Sequence, residues 1–285
     1  MPELPEVETI RRALEKTILG KKFTEVCVHN PAIIRGIRAD KFKKDLTGSS
    51  IKSVLRKGKA LILELSNGKS LLVHLKMTGQ LVLRLPLSSS PEQAKRAEGL
   101  VYPGAGKHAR VIFHLSSGQT LDFNDQRLFA ELRLLDDWRD FKFIQNLGPE
   151  PADIAVEDFK KMLSLKKTKI KPLLMDQSFI SGIGNLYAAE ALFRSRIDPG
   201  RPASSLSGKE KELLYKEIKE TLNEAIQHKG SSIDDYVQLT GEAGDYAKYH
   251  KVYGRQNKPC LVCKTPIKRI ALGGRGTYFC PKCQK

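Results

Sequence analysis

Acidic residues are missing from two parts of this 285-residue chain: none lies between Lys160 and Lys171, and none from Tyr246 to Lys285. The first stretch carries six lysines and the second ten Lys or Arg. A solvated face ordinarily mixes both signs, so patches of one sign suit a polyanion such as a nucleic-acid backbone. Over the whole chain 49 Lys and Arg outnumber 32 Asp and Glu, a formal charge of +17 and a pI near 9.6. Charge alone does not separate DNA from RNA or from an anionic membrane, and a ribosome-like basic protein is the plain alternative. Long apolar runs are missing too: none reaches the roughly 18 residues of a spanning helix. The start, MPELPEVE, is acidic and proline-containing, unlike a secretory signal. Both absences point to the cytoplasm.

Cysteine is scarce, five in all, and four of the five form Cys260-x-x-Cys263 and Cys280-x-x-Cys283 with 16 residues between the pairs. In a reducing compartment this spacing reads as metal binding rather than disulfides: each pair sits on a knuckle, the intervening segment forms a hairpin, and four thiolates hold one structural zinc. Arg275 and Gly276 follow Gly273-Gly274 on that hairpin. A glycine-rich turn lets backbone approach a phosphate, so the module reads as a DNA-gripping hairpin. Cys27 is left over, in an alternating stretch, and is expected to be a buried free thiol.

The length allows one large domain or two ordinary ones, and 40% apolar residues suffice for a core. Val7, Ile10, Leu14 and Ile18 recur at helical spacing, predicting a helix from about Pro5 to Leu19 with Gly20 as its stop. Strand signals follow at Phe23–His29, Ser53–Leu55, Ala60–Leu65, Ser70–Leu75, Leu81–Leu85, Ala109–Leu115, Thr120–Phe123 and Leu132–Leu135. Asn67-Gly68 and Ser116-Ser117-Gly118 mark hairpins. Together these predict an antiparallel β-sandwich with a flanking helix. Residues 86–107, rich in Ser, Pro and Gly, read as an exposed loop, and a linker falls near Leu147–Pro151. Beyond it the period is helical, at Val156–Leu163, Lys171–Gln177, Asn185–Arg194 and, after a Ser207/Glu210 capping box, up to Gly230. Gly241–Gly244 reads as a flexible loop. The whole is an α+β chain.

Ile180-Ser181-Gly182-Ile183-Gly184-Asn185 precedes one of these helices. Two glycines before a helix N-terminus form a ready anion site, although an ordinary turn is the commoner explanation. Asn185 could cap the helix or donate to a phosphate. At the other end of the chain, a small second residue permits removal of Met1, which frees the secondary amine of Pro2. An α-amino group titrates near 8, and amines form Schiff bases at sugar C1′. Glu3 could then act as general acid. By themselves Pro2, Pro5, Glu3 and Glu6 read more simply as the start of a helix.

Pro2-Glu3-Leu4-Pro5-Glu6-Val7-Glu8, Leu174-Met175-Asp176, Gly182-Ile183-Gly184-Asn185 and the terminal cysteine module together resemble the bacterial formamidopyrimidine-DNA glycosylase (DNA-(apurinic or apyrimidinic site) lyase) family, over essentially the whole chain. The resemblance implies an N-terminal catalytic β-sandwich (1–146), a linker (147–151), a helix-two-turn-helix domain with a lesion-covering loop at Thr240–Tyr249 (152–250) and a zinc finger (251–285). It implies Pro2 as nucleophile, Glu3 as acid and Lys59 as a catalytic lysine, preferred to Lys57 because it stands before the aliphatic run, with Glu6 a further active-site position. For DNA binding it implies Met77, Arg127 and Phe129 as the residues that fill the vacated stack and read the orphan base, with His108, Lys169, Asn185 and Arg275 as further contacts and Tyr253 and Arg255 behind them. Two positions depart from the family pattern: Lys76 stands where glycine is usual and Leu128 where a basic residue is usual. Read without the resemblance, Met77 and Phe129 would be core residues at strand ends, Lys59 a solvated strand end, and His74 a packed strand histidine.

The expected activity is base-excision repair by a monomer on damaged double-stranded DNA in the bacterial cytoplasm, with one structural Zn2+. Oxidised purines would be excised through an imine on Pro2, followed by β,δ-elimination. The sister endonuclease VIII-like enzymes, which prefer oxidised pyrimidines, are the near alternative; Leu4 and the Arg127/Phe129 pair favour the purine branch. A non-catalytic zinc-finger DNA-binding protein and an RNA-binding basic protein are the alternatives of other classes.

Overall fold

A computed structural model gives the structure of residues 1–84, 105–233 and 235–285. The exposed loop expected at 86–107 lies, as far as residue 104, outside the described residues. The chain divides into two compact units: Met1–Gln145 with His228–Asp245, and Asn146–Gln227 with Tyr246–Lys285.

The first unit opens with helix α1, Leu4–Ile18. Its apolar stripe Val7, Ile10, Leu14 and Ile18 is buried as the spacing requires. Then come β1 (Phe23–Val28), α2 (Ala39–Leu46), β2 (Ile51–Lys57), β3 (Ala60–Leu65), β4 (Ser70–His74), β5 (Gly79–Arg84), β6 (Ala109–Leu115), β7 (Thr120–Asp125), β8 (Glu131–Leu135) and the short α3 (Lys142–Gln145). Two antiparallel sheets form, in the orders β1-β6-β7-β5 and β2-β3-β4-β8. Phe23, Phe113 and Phe123 from one sheet share a core with Val54, Leu61, Leu63 and Val73 from the other and with the stripe of α1. This is the expected β-sandwich with its flanking helix. The Asn67-Gly68 turn joins β3 to β4, with Gly68 at φ 83° and the Lys69 N–H donating to Asn67 Oδ1 at 3.1 Å.

Residues 228–245 complete this unit. Tyr236 and Leu239 join its core, and the Leu83 N–H donates to Leu239 O at 2.9 Å. The loop expected at Gly241–Gly244 is a hydrogen-bonded turn: Gly241 N–H donates to Gln238 O at 2.9 Å and Gln238 N–H to Glu242 O at 2.8 Å. Gly244 lies so close to the chain at Gly230 that a Cβ would fall 2.3 Å from Gly230 O. Its glycine permits that close approach.

The second unit holds α4 (Val156–Ser164), α5 (Ile170–Met175), α6 (Asn185–Arg194) and α7 (Gly208–Gln227), then the β9–β10 hairpin, Lys268–Leu272 and Arg275–Phe279. The capping box before α7 forms as predicted: Ser207 N–H donates to Glu210 Oε2 at 2.7 Å, and Glu210 N–H to Ser207 Oγ at 3.3 Å. Phe159, Leu163, Leu174, Tyr187, Leu214 and Ile218 pack into one core across the four helices. No helix among the described residues is long and apolar enough to cross a membrane.

Helix α2 has too short an apolar stripe to be legible in the sequence: only Phe42 and Leu46 of its eight residues are buried. Cys27 is half-buried rather than buried.

Candidate active site and nucleic-acid interface

Pro2 and Glu3 are buried beneath an exposed Met1. The Glu3 N–H donates to Glu6 Oε2 at 2.8 Å, one limb of a capping box. The other oxygen of the same carboxylate, Glu6 Oε1, accepts the Ser231 N–H at 2.8 Å. Gly230 beside it is at φ 79°, and a Cβ there would meet Glu6 Oε1 at 2.9 Å. The glycine expected to end a helix therefore has another purpose: it lets the backbone reach the carboxylate.

Two residues further along α1, Glu8 accepts from Arg12 Nε at 2.7 Å, from Arg11, and from Arg56 Nε on β2 at 2.9 Å. Burial alone would push its carboxyl up, but the hydrogen bonds from Arg11, Arg12 and Arg56 outweigh it and hold the pKa at about 2. Arg56 also donates through Nη1 to Gly58 O at 3.0 Å. A single guanidinium thus ties α1 to the turn that carries Lys59. Lys59 is 7% exposed, which removes the reading of a solvated strand end. Glu8 and Arg56 were not singled out from sequence. Their partnership spans 48 positions, and no local spacing announces it.

Met77, Arg127 and Phe129 come together. Arg127 Cζ lies 4.6 Å from the Phe129 ring centroid, and Arg127 Nη1 is 3.7 Å from Met77 Sδ. Met77 is 40% and Phe129 51% exposed, so neither is a core residue. Their loop is shaped from below by buried Asp125, which takes hydrogen bonds from the Thr78 hydroxyl, from Arg127 N–H at 3.2 Å and from Ala130 N–H at 2.8 Å. An Asp accepting from the N–H two residues on is a signal legible in Asp125-Gln126-Arg127.

Both departures from the family pattern fall at left-handed backbone, Lys76 at φ 50° and Leu128 at φ 58°. The position usually held by glycine is thus one that favours glycine. Here the Lys76 ammonium pairs with Glu131 Oε1 at 3.0 Å, while Leu128 packs its side chain on the core. His74 is a packed strand histidine: its Nδ1 accepts the Lys76 N–H at 3.1 Å, and burial pushes its pKa down to about 3. His108 ends a short 3-10 turn, Ala105–His108, that leads into β6.

In the second unit Asn185 is the first residue of α6, whose N-cap is Gly184. Asn185 therefore does not cap the helix. Its Oδ1 accepts from Lys171 Nζ at 2.5 Å, and its Nδ2 donates to Gly276 O at 3.1 Å, next to Arg275. Lys171 is 1% exposed, so it leaves the surface patch predicted for 160–171. Lys169 at the head of α5 and Arg275 at the head of β10 are exposed. Arg255 is half-buried and turned to Pro259 O at 3.2 Å.

The four sulfurs of Cys260, Cys263, Cys280 and Cys283 lie within 4.8 Å of one another, with Cys260–Cys283 at 3.9 Å and Cys263–Cys280 at 3.4 Å. A Zn–S bond of about 2.3 Å in a tetrahedron gives edges of about 3.8 Å. The residues fit one zinc ion with all four positions filled, which makes it structural, and the β9–β10 hairpin runs between the pairs.

Three family models match the chain: "Formamidopyrimidine-DNA glycosylase N-terminal domain" over residues 1–132, "Formamidopyrimidine-DNA glycosylase H2TH domain" over 147–237 and "Zinc finger found in FPG and IleRS" over 257–285. Among curated relatives, the formamidopyrimidine-DNA glycosylase of Pelotomaculum thermopropionicum is 42% identical, covering 100% of this chain and 99% of that protein. That of Desulforamulus reducens is 41% identical over the same shares. Among solved structures, Lactococcus lactis Fpg in complex with DNA containing an abasic site superposes with a TM-score of 0.86 at 33% identity, covering 99% of each chain. A point mutant of that Lactococcus lactis protein, in complex with DNA containing Fapy-dG, gives 0.86 at 34%, covering 100% of each. The fold and the four-thiolate module define a zinc-finger DNA glycosylase. The chain belongs to the formamidopyrimidine-DNA glycosylase family.

Proposed function

We propose that this protein excises oxidised purines, 8-oxoguanine and formamidopyrimidines, from damaged double-stranded DNA and then nicks the strand. The observation that carries this reading is the N-terminus. Pro2-Glu3 is seated at the head of α1 by Glu6, which also grips residue 231, and the Lys59 turn is tied to the same helix through Arg56 and Glu8. After removal of Met1, the neutral Pro2 nitrogen bonds to C1′ as the bond from C1′ to the base breaks; the base leaves with that electron pair and takes up the proton that the Pro2 nitrogen loses. Glu3 protonates the ring oxygen, the bond from C1′ to that oxygen breaks as the ring opens, and an iminium ion (the protonated imine) remains on Pro2. Proton abstraction then drives β- and δ-elimination. Met77, Arg127 and Phe129 fill the gap left by the flipped nucleotide. His108, Lys169, Asn185 and Arg275 hold the DNA, and Thr240–Tyr249 covers the lesion. The zinc orders the hairpin and has no open position for substrate. As sequence modules we keep 1–146, 147–151, 152–250 and 251–285, with action as a monomer in the bacterial cytoplasm at the nucleoid.

Borohydride trapping tests the reading, using protein whose N-terminus is verified by mass and a duplex holding 8-oxoguanine opposite cytosine. An adduct mapping to Pro2 supports both nucleophile and substrate. A much faster reaction on an oxidised pyrimidine moves the chain to the sister branch, and no adduct even with an abasic site leaves a non-catalytic binder.

A further inference from the structure

Outside the groups described above, three side chains with metal-ligand chemistry meet on the first sheet: Glu25, Cys27 and His114. Among the described residues strand β1 is an edge strand, paired antiparallel with β6 so that Glu25 faces His114 and Cys27 faces Ile112. The register shifts between Phe23 and Glu25. Without that shift, alternation from buried Phe23 would send Glu25 and Cys27 into the core. The extra residue turns Val26 inward and leaves Glu25 exposed and Cys27 half-buried on the outer face. Glu25 and Cys27 thus stand two residues apart on one face, with His114 opposite the first and diagonal to the second.

Two of the three separations are close to those of a coordination shell. Cys27 Sγ lies 3.4 Å from Glu25 Oε1 and 3.7 Å from His114 Nε2, and the three ligand atoms all fall within 4.8 Å of one another. Tetrahedral zinc, with bonds of about 2.3 Å to sulfur and about 2.0–2.1 Å to nitrogen or oxygen, separates its ligand atoms by about 3.4–3.6 Å. Asp122 on neighbouring β7 is held by Arg84 at 2.6 Å, so a tetrahedral ion on these three side chains would take its fourth ligand from water. Lys43, near Cys27, is paired with Asp40 at 3.5 Å.

We propose that Glu25, Cys27 and His114 form a second metal site, for Zn2+, distinct from the four-cysteine site. Thiolate with imidazole selects zinc over the oxygen-seeking Mg2+ and Ca2+. Binding forms a Zn–S bond and releases the Cys27 proton to solvent. The ion would clip edge strand β1 to β6, so zinc would stabilise the first unit by binding its folded form.

The test uses reduced holoprotein carrying its structural zinc. It is equilibrated with excess Zn2+, desalted, and its metal counted by mass spectrometry. Wild type should retain about two zinc ions per chain, and Cys27→Ser and His114→Ala about one each. Titrated with Co2+, the added equivalent should give thiolate-to-cobalt absorption in wild type and none in Cys27→Ser. Strand cleavage should be unchanged in both variants, which certifies their fold and their intact finger. If wild type retains only about one ion, or the variants retain as much as wild type, the site does not exist.

Discussion

The Glu6 carboxylate joins two backbone amides that stand far apart in sequence: Oε2 accepts the Glu3 N–H and Oε1 the Ser231 N–H, each at 2.8 Å and the latter across 225 positions. Both bonds are buried and charge-assisted. Replacing the carboxylate with an amide sets an NH2 group against one of these donors. Glu6→Gln should therefore lose about 1–3 kcal/mol of stability in urea unfolding. It should also slow imine trapping at Pro2, because Glu3 is no longer held. A variant as stable as wild type and trapped at the same rate would show that the carboxylate does not position the N-terminus.

This relationship marks the limit of what the sequence makes legible. Helix α1, the hairpins at Asn67-Gly68 and Ser116–Gly118, the Ser207/Glu210 capping box and the four-cysteine site all depend on spacings of a few residues, and each is readable for that reason. Glu6 was visible as a position, but its partner was not. Arg56 and Glu8 act across a long separation, as does the bond from Thr78 to Asp125, where composition and periodicity say nothing; only the local bond from Arg127 N–H to Asp125 is legible. Only the family resemblance points to Met77, Arg127 and Phe129; strand-end position and apolarity alone place Met77 and Phe129 in the core. The β1 register shift that sends Cys27 outward has no sequence signature, so Cys27 was expected to be buried.

Arg127 stacked on exposed Phe129 supports little of the fold. Exposed cation–π pairs are worth about 0.5–1 kcal/mol, so Phe129→Ala should change stability by about that much or less. If the ring wedges into the vacated stack, the same substitution should lower excision from duplex DNA by about tenfold or more, since unstacking costs a few kcal/mol. Thermal unfolding and single-turnover excision on the same preparation separate the two effects. Parallel small losses in both would make Phe129 a packing residue only.

Glu8 carries an acid-dependent share of stability. Its folded pKa, about 2, lies below its ordinary 4.5 because Arg11, Arg12 and Arg56 outweigh the cost of burial. The ionised group is therefore fully stabilising above pH 4.5, and its contribution, about 3 kcal/mol, is lost as pH falls from 4.5 towards 2. Glu8→Gln should be less stable at neutral pH and lose less stability through that window. Urea midpoints measured from pH 7 downwards check this. Parallel wild-type and variant profiles would assign the acid sensitivity elsewhere.

Asn185 and Arg275 meet the same short stretch of hairpin in different ways, and their variants should part accordingly. Arg275 is exposed at the start of β10, so Arg275→Ala should leave stability within about 0.5 kcal/mol. If its guanidinium holds one phosphate, the variant should bind duplex DNA more weakly on every sequence, and the slope of log K against log salt should shrink by about one unit. Asn185 instead accepts from buried Lys171 and donates to Gly276 O. Asn185→Ala takes an acceptor from a buried ammonium and a donor from the carbonyl beside Arg275, so stability should fall by about 1–3 kcal/mol. DNA binding should fall as well, because the hairpin that presents Arg275 loses its tie to α6. Denaturation and salt-dependent binding on both variants decide the point. Should Arg275→Ala bind with an unchanged salt slope, the hairpin's contact with DNA would have to come from its backbone or its other basic side chains.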